Sequence, residues 1–226
     1  MAEDMQHWTP RPTPDAPLLE GQYANLERLD PARHTEALFA AANIPNIAAK
    51  FEWLYEYPPQ NLAAMQDWTT AAAAGKDPLF YAVIDKQTGQ AAGRQAFMRI
   101  DEANGAIELG SIYWGPLIAR KPAATEALYL AAAYVFDTLG YRRFEWKCNN
   151  DNLPSKLAAQ RFGFTAEGVF RQHLVVKGKN RDTAWFAMTD KDWPRLKDGY
   201  QTWLDPANFD GTGQQKRRLS ACFNVS

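Results

Sequence analysis

The stretch IELGSIYWGPLIARKPAATEALYLAAAYVFDTLGYRRFEWKC, Ile107–Cys148, decides the fold. IELGSIYW and RRFEWKC read as strands. The segment between them places Ala124, Ala127, Leu128, Ala131, Val135 and Leu139 at helical spacing, and Gly140 is its natural stop. A strand–helix–strand crossover makes its two strands parallel. Upstream, LFYAVID and AAGRQAFMRID lead into AIELGSIYW through hairpin-length turns, KQTGQ and EANG, so these three are antiparallel. Downstream, a helix from about Pro154 to Phe162 is closed by Gly163 and followed by two further strands, FTAEGVFRQHLVV and RDTAWFAM.

At the other end, YANLERL (Tyr23–Leu29) is a first strand, and Asp30-Pro31 opens a helix to about Ala42. NIPNIAAKFEWLYEYPPQ reads as a short helix and an irregular loop. NLAAMQDWTTAAAAGKDP is a second helix, stopped by Gly75 and Pro78. DKDWPRLKDGYQTWL is a last helix. The expectation is an α/β fold with a mixed, mostly antiparallel sheet of about seven strands flanked by helices. Residues 1–17, with four prolines, read as an extended arm, 18–205 as a single domain and 206–226 as a mobile tail.

The balance of 25 basic and 26 acidic residues offers no nucleic-acid face and no membrane-binding face, so any cationic feature is local. Cys148 and Cys222 are far apart and His7, His34 and His173 are scattered, so no metal site is readable. The proline-rich, acidic N-terminus is no signal peptide, and no run approaches the ~18 apolar residues of a span. A cytoplasmic protein is the expectation.

Between the crossover strand and its helix lies the turn Arg120-Lys121-Pro122-Ala123-Ala124-Thr125, where many proteins place a glycine-rich phosphate loop. It has no glycine. Pro122 removes one N–H but suits a first helical turn. The amides of Ala123, Ala124 and Thr125 remain, the helix dipole favours an anion, and Arg120 and Lys121 add two charges. The same residues also describe an ordinary proline-initiated helix with two solvated cations.

The order of elements, together with IELGSIYWGP…AATEA, NNDNLPSKLAAQRFGF (Asn149–Phe164) and EGVFRQHLVVKGKNRDTAWFAM, resembles the GNAT acyltransferase superfamily. The similarity spans roughly residues 20–195 and is greatest to the branch related to ribosomal-protein N-terminal acetyltransferases. It implies acetyl-CoA as donor and an amine as acceptor, a protein N-terminus or a small molecule, and a homodimer is compatible with it. It places the pantetheine on a strand edge carrying Ile112, Tyr113 and Trp114, and the pyrophosphate at Arg120, Lys121, Ala123, Ala124 and Thr125. The family's glycine pattern in that turn is met only at Ala124, whereas a sub-branch with AATEA is closer.

The resemblance also directs attention to Glu108, on the strand before the turn, as the base that takes a proton from the amine; a strand carboxylate in a salt bridge is the other reading. Period-two alternation puts Glu108 on one face with Gly110 and Ile112, unless a bulge resets the register. Asn152 and Ser155 lie at a helix start, where Asn152 would bond pantetheine amides and Ser155 would protonate the thiolate, or both would serve as caps. Tyr113 is a further acid or a packing residue. Trp53, Tyr55 and Tyr57, with the turn 177–182, lie where the acceptor would enter, or the aromatics merely fasten their loop. A GNAT-fold binding protein without turnover and an enzyme using a longer acyl-CoA are the alternatives.

Overall fold

A computed structural model describes residues 4–223. In chain order the elements are β1 (Leu18–Glu20), β2 (Ala24–Arg28), α1 (Pro31–Ala42), α2 (Ile47–Phe51), α3 (Leu62–Ala74), β3 (Leu79–Asp85), β4 (Gln90–Asp101), β5 (Ala106–Trp114), α4 (Pro122–Ala133), β6 (Arg143–Asn149), α5 (Leu153–Arg161), β7 (Thr165–Val176), β8 (Lys179–Thr189), α6 (Trp193–Leu204) and α7 (Leu219–Cys222). The strands form one sheet in the order β1-β2-β3-β4-β5-β6-β8-β7. The eighth strand is the three-residue β1, which lies within the stretch next to the expected arm. Every neighbouring pair is antiparallel except β5–β6, the pair joined by the crossover through α4.

Alternation along the strands builds two cores. Leu79, Tyr81 and Val83 of β3, with Phe144, Trp146 and Cys148 of β6, pack with α4 and α6 on one face. Phe80, Ala82 and Ile84 pack with α1, α2 and α3 on the other. β3 is therefore buried on both sides and reads as an unbroken apolar run. Among the described residues the second core does not extend over β6 and β8. There the same face carries Arg143, Glu145 and Lys147 opposite Thr189, Ala187 and Trp185, which leaves a polar floor beside the α2–α3 loop.

α6 buries Trp193, Leu196, Tyr200, Trp203 and Leu204, a stripe at helical spacing. The expected mobile tail is corrected here: through Phe223 it packs onto this helix. Leu219, Cys222 and Phe223 are buried, and the Phe223 ring lies 5.2 Å from that of Tyr200. Asn208 ties the return, donating to the Trp203 carbonyl at 3.0 Å and accepting from the Arg217 amide at 2.9 Å. Gly199 makes this approach possible, since a Cβ there would stand 2.4 Å from Phe223 Cδ1. The N-terminal arm crosses the opposite end of the sheet, where the Trp8 indole donates to Ala103 O at 2.7 Å and the Asp15 and Ala16 amides donate to the Tyr134 hydroxyl.

Candidate active site

β5 pairs with β6 only from Ala106 to Glu108, opposite Arg143 to Glu145. Beyond Glu108 the strands part, and the backbone of β5 on that edge loses its ladder partner. A wedge open to an extended ligand results. On its other edge β5 carries a bulge: Arg94 faces Tyr113 and Ala96 faces Gly110, so Ser111 and Ile112 together oppose Gln95. Ser111 sits at φ 48°, a left-handed conformation that costs a non-glycine residue energy. The buried Arg94 holds the bulge, its Nη1 donating to Ser111 O at 2.6 Å. Its Nη2 contacts the Glu56 carboxylate, and its guanidinium lies 4.2 Å from the centre of the Trp68 ring. Burial pulls the Arg94 guanidinium below its ordinary value. The contact with Glu56 favours the charged form.

The bulge resets the register. Tyr113 joins the core on the α1 side while Ile112 and Trp114 pack towards the α4 side, so Glu108 and Ile112 do not share a face. Tyr113 is a correction as a free acid. It is buried, its hydroxyl donates to Ala41 O at 2.7 Å, and its ring meets Phe51 at 5.3 Å, so it anchors α1 to the sheet. Trp114 donates to Gln95 Oε1 at 3.2 Å and stands edge-on to Phe162.

At the mouth of the wedge, α4 begins with Pro122 and has no side-chain cap at Lys121. Its first-turn amides have no partner further back in the helix, apart from the 3.2 Å contact of the Ala124 amide with Lys121 O. Arg120, at φ 64°, and Lys121 are exposed, and among the described residues neither is in an ion pair. Ala123 and Ala124 are buried, which leaves their backbone as the part they can offer. Thr125 differs from expectation. It is 2% exposed, and its hydroxyl accepts from Arg161 Nη1 at 3.2 Å. Arg161, from the end of α5, is thus a third cation at this helix start, partly buried over Phe162 and Trp203. Sequence reasoning missed it, because an arginine in a helix's last turn is an ordinary surface residue.

Glu108 is 3% exposed. Its Oε2 accepts from Arg99 Nη1 at 2.5 Å and lies 3.1 Å from Lys147 Nζ. Oε1 is on the Gly110 side, 3.1 Å from where a Cβ of that residue would stand. A Cβ at Gly110 would also come within 2.4 Å of Met98 Sδ, so a side chain there would displace the methionine. Lys147 is balanced in turn by Glu145 at 2.5 Å and by the Trp185 ring at 3.8 Å.

Across the wedge, Asn152 caps α5 by accepting from the Ser155 amide at 3.1 Å. Ser155 Oγ accepts from the Trp146 indole at 2.9 Å, which leaves its own O–H to donate. That proton is directed at the Cys148 thiol, whose value burial raises and this hydrogen bond lowers. The residues expected at the acceptor's entrance also stand together. Lys177, in the β7–β8 turn, donates to Phe51 O at 2.8 Å and stands 4.5 Å over the Tyr57 ring, while Arg181 lies 5.2 Å from the Tyr55 ring. Trp53 is half-buried in the same loop. Beneath it, a cavity of about 160 Å³ is lined by Phe51, Glu56, Tyr57, Met65, Trp68 and Arg94 among others.

Residues 25–165 match the Acetyltransferase (GNAT) domain family. A crystal structure of a GCN5-related N-acetyltransferase from Brucella melitensis is 57% identical, with a TM-score of 0.96, covering 97% of this chain and 100% of that one. A probable acetyltransferase of the GNAT family from Chromobacterium violaceum is 35% identical, with a TM-score of 0.79, over 86% of this chain and 96% of that one. Among curated proteins, the uncharacterised N-acetyltransferase p20 of Bacillus licheniformis is 30% identical over 50% of this chain, a match spanning 63% of that protein's length.

Proposed function

The chain belongs to the GNAT acetyltransferase family, and on that premise we propose that it transfers an acetyl group from acetyl-CoA to a primary amine. One observation carries the proposal: the wedge between β5 and β6 opens directly beside an uncapped helix N-terminus flanked by cations. The unpaired edge of β5 suits the amide-bearing pantetheine arm, and the start of α4, with Arg120, Lys121 and Arg161, suits a pyrophosphate. Acetyl-CoA, when bound, supplies a thioester-activated acyl group. The bulge at Ser111, braced by Arg94, fixes the backbone beside which that group would sit.

The protein's own part is proton handling. In the proposed reaction the amine nitrogen forms a bond to the acyl carbon as the carbon–sulfur bond breaks. Glu108 Oε1 accepts the proton the nitrogen gives up, directly or through a water. The Ser155 O–H, which in the free protein faces the Cys148 thiol, turns to donate to the departing thiolate. Both groups stand at the wedge, one at the last paired residue of β5 and the other at the start of α5. The acceptor reaches the reaction from the face between the α2–α3 loop and β8, and a cytoplasmic location follows from the donor.

A second reading is favoured by one observation, the double cationic clamp on Glu108 Oε2: acetyl-CoA is bound and little amine is acetylated. Thermal unfolding with and without acetyl-CoA, followed by turnover against pooled amines and N-terminal peptides, separates the two. Acetyl-CoA at about 100 times its Kd should add roughly 2.7 kcal/mol of stability. A shift without turnover selects the second reading, and no shift at millimolar acetyl-CoA rejects both.

A further inference from the structure

We propose that the acceptor is an amine that also carries a carboxylate, and that Arg181 binds that carboxylate. The proposal rests on the acetyl-transfer reading and adds the substrate class. Arg181 lies on β8, 6% exposed. Its Nε is buried with no acceptor, and among the described residues its guanidinium makes no ion pair and no hydrogen bond. Its one contact of note is the Tyr55 ring. A buried charge normally has a counter-charge, because burial strips it of water.

The carboxylates around Arg181 are committed elsewhere. Asp182 Oδ1 accepts from the Gln172 amide at 2.8 Å and from Asn180 Nδ2 at 2.9 Å. Glu56 is on Arg94, Glu52 faces Lys177, and Glu108 and Glu145 share Lys147. Four residues along the same face of β8, the Trp185 indole N–H is likewise buried without an acceptor. Between them the Thr183 hydroxyl is taken by His173 Nδ1 at 2.9 Å. One strand face thus presents two unfilled donors, one of them charged, about 13 Å apart along the strand at ~3.3 Å per residue. Residues 171–182 carry four basic side chains against one acidic, so a purely cationic acceptor meets a repulsive surface.

A carboxylate fits the guanidinium fork. Two sources share this chemistry: the α-carboxylate of a free amino acid, and an acidic side chain close to a peptide N-terminus. Acetyl transfer is therefore measured for two matched pairs, leucine against leucinamide and the tripeptide amides Asp-Ala-Ala against Asn-Ala-Ala. In the wild type the acidic member of one pair should lead by about tenfold or more in kcat/KM, and that pair identifies the source. Arg181→Gln should bring the ratio to about one, with a melting temperature equal to or above that of the wild type, since an uncompensated charge is removed. A second arm needs no turnover: N-acetyl-leucine and the N-acetylated Asp-Ala-Ala amide are titrated calorimetrically into protein saturated with CoA. One should bind the wild type at least about tenfold more tightly than Arg181→Gln. This arm reads the Arg181 site even in a protein that acetylates nothing, so the two proposals fail separately. Should Arg181→Gln not fold, Arg181→Lys is read in its place, and its point charge should retain only part of the preference. Equal rates within both pairs together with no binding of either acid would overturn the proposal, as would undiminished preference in the variants.

Discussion

Glu108→Gln separates a catalytic carboxylate from a structural one, because the structure assigns each role its own magnitude. Removing one partner of a buried ion pair costs about 3–5 kcal/mol when the other charge is stranded. Here neither cation is stranded. The Arg99 side chain is 41% exposed and can turn to water, and Lys147 keeps Glu145 at 2.5 Å and the Trp185 ring at 3.8 Å. The glutamine carbonyl also still accepts a hydrogen bond. The stability loss should therefore be about 1–2 kcal/mol, a lowering of the melting temperature by roughly 2–8 °C in a chain of this length. Turnover is governed by the other oxygen. If Oε1 accepts the amine's proton, its loss should slow transfer about 10²–10⁴-fold, or about 3–5 kcal/mol in the barrier. Acetyl-CoA affinity should change little, because Glu108 is remote from the start of α4. The assay is continuous detection of released CoA thiol at 25 °C, with calorimetric titration of acetyl-CoA into the same preparations. A variant that melts lower yet acetylates at the wild-type rate would refute the reasoning and leave Glu108 as a clamp between β4, β5 and β6.

Ser155→Ala should leave the α5 cap intact, since Asn152 supplies it, but strands the Trp146 indole; a loss of about 1–3 kcal/mol is expected together with slower turnover and unchanged acetyl-CoA binding, and full activity in a merely destabilised variant would remove Ser155 from the reaction. Arg120→Ala should weaken acetyl-CoA binding by about 10- to 150-fold, and added salt should weaken the wild type more than the variant; indistinguishable affinities at two salt concentrations would mean that the helix start and Arg161 suffice. Truncation after Asp205 should destabilise the protein by at least about 4 kcal/mol, because it exposes α6 and removes three buried side chains, Leu219, Cys222 and Phe223; a truncated chain that melts at the wild-type temperature would contradict the packing described.

The elements were legible where local chemistry dictates them. Asp30-Pro31 starts α1, Gly75 ends α3 and Gly140 follows α4, because caps and breakers act over a few residues. The C-terminal segment was misread for a related reason. Its three core residues are dispersed among polar ones, so they carry no periodicity until α6 gives them a surface to cover. Glu108, Asn152 and Ser155 were named as candidates through resemblance to a family, but their partners were not legible. Arg99 stands nine residues and Lys147 39 residues from Glu108, and Trp146 nine residues from Ser155, and only the packing of separate elements brings them into contact.

By itself, the sequence determined that a crossover joins two parallel strands in an otherwise antiparallel sheet, since handedness and connection length admit little else. It also determined that a cationic, proline-initiated turn stands at that crossover. Only the tertiary structure decided where β5 leaves β6, after Glu108, and that a bulge at Ser111 on the other edge is held by an arginine from the neighbouring strand. It alone decided which cations are spent on carboxylates and which are not. Lys147, Arg99 and Arg94 find counter-charges, whereas Arg181, equally unremarkable in sequence, is buried without one among the described residues. Charge compensation is a property of through-space distance, and one chain's linear order does not encode it locally.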